Sequence, residues 1–103
     1  MAISDAYLAD LTERLSRDLR NSGMSSWVYL VERECENALE FVDDPTQFTE
    51  KVVEDVQQDI LDSIIVWPVC PRHPNHPLWF HDGSWVCEQG NVTVAALGAL
   101  GEP

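Results

Sequence analysis

The chain has 103 residues, with 18 acidic against 6 basic side chains and a formal charge of -12 at pH 7. That length suits one domain with a modest core, and a hydrophobic share of 45% excludes wholesale disorder. The charge excludes direct binding to nucleic acid or to an anionic membrane, because phosphate surfaces select clustered Lys and Arg.

The spacing predicts an amphipathic helix over residues 5–21. Ser4 is a suitable N-cap, Leu8, Leu11, Leu15 and Leu19 recur along one stripe, and Asn21, Ser22 and Gly23 tolerate the turn that stops it. Arg14, Arg17 and Arg20 are interleaved with acids, which marks a solvated face rather than a basic strip. Residues 25–43 read in two ways. On a helical wheel Trp27, Val28, Val31, Cys35, Ala38, Leu39 and Val42 share one side, which favours a helix. The strand formers in 27–31 and 39–42 also describe a two-stranded hairpin bending near Glu36 and Asn37. Cys35 lies on the apolar side and reads as a small core residue, not a ligand. A further helix is expected over 44–65, with Asp44 as cap, Pro45 in the first turn and Gln47 completing a capping box. Phe48, Val52, Val56, Ile60 and Ile64 form its apolar band, and Trp67-Pro68 ends it.

Composition changes at Trp67. Residues 24–66 hold 11 acids and 2 bases, whereas 67–103 hold 3 acids and 1 base, three of the four tryptophans and every histidine. A mainly helical acidic part (1–66) is thus followed by a β part (67–97), and the expected class is a single α+β domain. Asp82-Gly83 is a strong two-residue hairpin turn. It pairs His81 with Ser84, Phe80 with Trp85, Trp79 with Val86 and Leu78 with Cys87. The small, apolar residues 95–101 either dock on the body or fray. Trp67, Trp79 and Trp85 read as core and hairpin packing, with an exposed recognition surface as the alternative.

The stretch that carries chemistry is Cys70-Pro71-Arg72-His73-Pro74-Asn75-His76-Pro77, with Cys87 following. Cys and His are the preferred zinc ligands, and Cys70-x-x-His73 lets one tight turn present two of them. The three prolines stiffen the loop, so less entropy is lost when an ion orders it. The hairpin returns Cys87 beside Leu78 and the entry to the ribbon, where Cys70, His73 and His76 can meet it. His81 has the opposite parity and lies at the turn, so it is left out. The expected ligands of one zinc ion are Cys70, His73, His76 and Cys87.

This stretch resembles a zinc ribbon, in which a Cys-Pro-x-Cys knuckle precedes a β-hairpin and a second knuckle. Here Cys70-Pro71-Arg72-His73 stands for the first knuckle, and Trp85-Val86-Cys87 leads into the second. It is also similar to short uncharacterised bacterial proteins ending in a Trp-Pro-x-Cys-Pro-x-His segment and an Asp-Gly-x-Trp-x-Cys hairpin. The resemblance covers residues 67–97. Glu88, Gln89 and Gly90 follow Cys87 without a second cysteine. His76 must then complete the set, or the site has three protein ligands.

Two plainer readings of the same residues stand beside this one. Cys70 and Cys87 are then ordinary buried thiols, or they form a disulfide. No run approaches the ~18 apolar residues of a membrane span, and the start of the chain lacks the pattern of a secretory signal, so a cytoplasmic protein is expected. In that compartment structural disulfides are rare, and three cysteines is an odd number for a framework. The expected function is a non-enzymatic zinc protein, its metal structural, working through a protein partner. A zinc-dependent hydrolase with an open three-ligand site, using Glu88 as base, is the alternative; an acidic mimic of nucleic acid is another.

Overall fold

The computed structural model of the chain describes residues 3–101. Three helices precede a three-stranded antiparallel sheet, an α+β arrangement with all strands towards the C-terminus. Helix α1 spans Asp5–Asn21, and the Ser4 hydroxyl accepts the Tyr7 N–H at 3.1 Å as the cap. Leu11, Leu15 and Leu19 are buried, with Leu8 half-buried beside them. Gly23, at φ 79°, lets the Met24 N–H return to the Leu19 carbonyl and close the helix.

The middle segment is helical. A 3-10 turn at Ser25–Trp27 leads into helix α2, Tyr29–Leu39. The hairpin alternative for residues 25–43 is therefore corrected. Leu30, Val31, Cys35 and Ala38 are buried together, a spacing that only helical periodicity puts on one side. Leu39 and Phe41, which lent the segment its strand character, are exposed.

Helix α3 spans Pro45–Asp62, and the Asp44 carboxylate accepts the Gln47 N–H at 3.0 Å. Phe48, Val52, Val53, Val56 and Ile60 are fully buried. Ile64 departs from the expected band. The helix stops at Ser63, Ile64 takes φ 62°, and its side chain is 95% exposed. The helix has ended before this residue, so the left-handed backbone at Ile64, not helical rotation, turns the side chain out of the band.

Strands β1 (Trp79–His81) and β2 (Ser84–Cys87) pair in the expected register, Trp79 with Val86, Phe80 with Trp85 and His81 with Ser84. Asp82 and Gly83 both have positive φ, 51° and 82°, as a primed hairpin turn requires. A third strand, β3 (Val92–Ala96), follows a turn at Asn91 and pairs with β2. Trp85 is the hub of the sheet's inner face, its ring 5.3 Å from Trp67 and 5.5 Å from Phe80 in edge-on contact. Trp67 and Trp85 are core residues, whereas Trp79 faces partly outward.

The tail docks. Leu97 and Leu100 are buried, and the N–H groups of Gly98 and Leu100 each donate to the Asp18 carboxylate at 2.9 Å. The Trp85 indole N–H donates to the same carboxylate, also at 2.9 Å. One wholly buried side chain on α1 thus ties together helix, sheet and tail.

Candidate metal centre

The loop between α3 and β1 is built as a closed knuckle. Prolines at 71, 74 and 77 keep it from being a helix, and its backbone groups find partners at the neck instead. The Leu78 N–H donates to the Pro68 carbonyl at 2.7 Å, the Cys70 N–H to the His76 carbonyl at 3.1 Å, and Val69 lies opposite Pro77. Within the neck, the His73 N–H donates to the Cys70 carbonyl at 3.2 Å and the His76 N–H to the His73 carbonyl at 2.9 Å. Both feet of the loop are held by one α3 residue. The buried Gln57 amide donates to the Trp67 carbonyl at 3.1 Å and to the Leu78 carbonyl at 2.6 Å.

Cys87, at the end of β2, comes alongside this loop. The ligand atoms of Cys70, His73 and Cys87 all lie within 4.8 Å of one another. His73 Nδ1 stands between the sulfurs, 3.6 Å from Cys70 Sγ and 3.4 Å from Cys87 Sγ. A sulfur and a nitrogen bound tetrahedrally to one zinc, at ~2.3 and ~2.0 Å, lie about 3.5 Å apart. Both separations match that value, so the three side chains are arranged closely enough to hold a metal ion. The two sulfurs and one imidazole suit zinc or another borderline or soft cation, not calcium or magnesium.

The remaining candidates are placed as follows. His76 is exposed on the same loop, its ring edge-on to His73 with centroids 6.2 Å apart, and it is outside the group of three. His81 is exposed at the hairpin end. Cys35 is buried in the helical core, also outside the group. Glu88 is exposed and adjacent in sequence to Cys87.

The electrostatics of the two kinds of thiol differ. Burial works to raise the Cys70 thiol, but hydrogen bonds to the His73 ring, the Arg72 and His73 backbone and Cys87 outweigh it, lowering the thiol to about 7. Such a group is readily deprotonated, as metal binding requires. Burial pushes the Cys35 thiol up, which makes it inert.

Sequence reasoning missed Gln57 and Asp18. A signal was present for both. Gln57 is four residues after Val53 and three before Ile60, inside the apolar band of α3, and Asp18 follows Leu15 by three inside the leucine stripe of α1. A polar side chain within an apolar stripe must find buried partners, and these two bind backbone groups of the metal loop and the tail.

No family model, curated protein or solved structure matches the chain. The zinc-ribbon likeness therefore has no support from a family match, and what stands is the group of Cys70, His73 and Cys87.

Proposed function

We propose that this is a small acidic zinc protein whose metal is structural and which acts through contact with another protein. The observation that carries the reading is the convergence of Cys70 Sγ, His73 Nδ1 and Cys87 Sγ at zinc-ligand separations. His76 is the fourth ligand in this reading. It lies on the same stiff loop beside His73, and a side-chain turn would close the tetrahedron and leave no place for substrate. A metal held by these side chains would join the loop after α3 to the end of β2, so its binding free energy would add to that of folding. Support for a contact role comes from the surface. Eleven acids crowd residues 24–66, and Val69, Trp79, Val92 and Val94 each leave apolar area exposed on the loop or strands. No described helix is long and apolar enough to cross a membrane.

The grouping of three ligands, with His76 outside, also favours a second reading. An open position at the metal would activate water, with exposed Glu88 as the neighbouring base. X-ray absorption on zinc-loaded protein separates the two: a shell of two sulfurs and two nitrogens belongs to the structural site, and a bound exchangeable oxygen to the open one. The experiment for the proposal as a whole is metal analysis of purified protein beside Cys70→Ser and Cys87→Ser. One zinc per chain is expected, with affinity lowered at least ~100-fold in either variant because a thiolate ligand is removed. Metal-free protein whose fold and thermal transition ignore added zinc and chelators would overturn it.

A further inference from the structure

Only two sulfurs serve this site, and they face the same imidazole nitrogen at 3.6 and 3.4 Å. We propose that Cys70 and Cys87 are a site of oxidative modification, closing to an intramolecular disulfide under peroxide and expelling the metal. The inference deepens the zinc reading given above, and rests on it for the metal.

The geometry supports the pairing in two ways. All three ligand atoms lie within 4.8 Å of one another, so the sulfurs are separated by a distance that side-chain rotation can close. Cys70 sits on an irregular loop, where such a rotation does not break a helix or a strand ladder. The remaining thiol, Cys35, is buried as the other two are, but it lies in the helical core and outside the group.

The chemistry balances. One sulfur displaces water from hydrogen peroxide and becomes a sulfenic acid; the second sulfur attacks it, forms the S–S bond and releases another water. From the loaded site the two thiolates together lose two electrons, solvent supplies two protons, one peroxide is reduced to two waters, and the zinc leaves as the free ion. A four-cysteine site would keep two thiolates after such an event. Here the first disulfide consumes every sulfur ligand, and imidazoles alone remain to hold the ion.

The test uses the full chain, reduced and loaded with zinc, then treated with hydrogen peroxide while a chromogenic chelator reports free metal. Proteolysis without reductant and mass spectrometry locate the product. Zinc release in step with a Cys70-to-Cys87 cross-link, a mass loss of two hydrogens, and recovery of both with dithiothreitol are expected. Cys35→Ala should react in the same way, and Cys87→Ser should stop at a sulfenic acid that dimedone traps. Cross-links to Cys35 or to a second chain, sulfinic acid in place of the disulfide, or retained metal with both thiols unmodified would each overturn the proposal. The peptide map of the wild-type chain decides this even if a variant does not fold. A reduced chain that takes up no zinc would defeat the proposed function, while a Cys70-to-Cys87 cross-link in it would still uphold the thiol pairing.

Discussion

Removing the Asp18 carboxylate should loosen the chain at the junction of helix, sheet and tail. Asp18 is wholly buried and accepts three hydrogen bonds of 2.9 Å, from the Trp85 indole and the Gly98 N–H on Oδ2 and from the Leu100 N–H on Oδ1. A hydrogen bond to a charged group contributes ~1.5–3 kcal/mol, but these three share the desolvation of one carboxylate. Asp18→Ala leaves three buried donors without an acceptor, for a net loss of about 3–5 kcal/mol. A domain of this size is stable by only ~5–15 kcal/mol, so the variant is at the edge of folding. Asp18→Asn is the sharper test because it conserves shape. Its amide oxygen can replace only one carboxylate oxygen, and its NH2 then meets a backbone or indole donor, at a cost of about 2 kcal/mol. Urea unfolding followed by tryptophan emission reads the stability, since Trp67 and Trp85 are both core residues. Amide exchange reads the location, with faster exchange at residues 97–101 expected in the Asn variant. A midpoint equal to wild type, or an unchanged tail, would refute the reasoning.

Other perturbations probe the loop, the acidic face and the metal. Gln57→Ala should cost ~2 kcal/mol and weaken zinc binding about 10-fold, because Gln57 donates to both feet of the metal loop; chelator competition reads the affinity, and unchanged affinity would show the clamp to be idle. Glu34 is pushed up by hydrogen bonding with Asp59 and by burial, with Asn37 and Arg33 opposing. A raised folded value means stability present in acid and lost as pH rises through it. Glu34→Gln should therefore raise the thermal midpoint at neutral pH and lose that advantage in acid, as calorimetry across pH would show; destabilisation at neutral pH would contradict it. For Cys70 the sign is reversed. Its thiol is lowered from 9.0 to about 7, so the metal-free fold gains stability above pH 9 and loses that gain as pH falls through about 7. Zinc affinity should fall over the same acid limb, where protons compete for the ligands, and a flat pH profile would count against a thiolate site.

Much of the architecture was legible because it is local. The leucine stripe of α1, the Asp44 cap of α3, its apolar band as far as Ile60 and the Asp82-Gly83 turn each need only near neighbours, and each is formed as read; Ile64, beyond the helix end, is not in the band. The hairpin register followed directly from that turn, so Cys87 could be placed near the knuckle before any coordinates. Residues 25–43 stayed ambiguous because short apolar runs satisfy both periods; burial against α1 and α3 selected the helix. Strand β3 escaped notice because Val92, Thr93 and Val94 are exposed and show no alternation to read.

By itself the sequence determined which residues were chemically able to bind a metal, and that prolines would keep their loop out of a helix. Tertiary structure decided which of them meet. It brought Cys70, His73 and Cys87 together, left His76 on the rim, and recruited Gln57 and Asp18 from distant helices to hold the loop and the tail. The physical reason is range: spacing governs contacts within a turn or a hairpin, whereas a buried amide or carboxylate finds partners only after the core has closed around it.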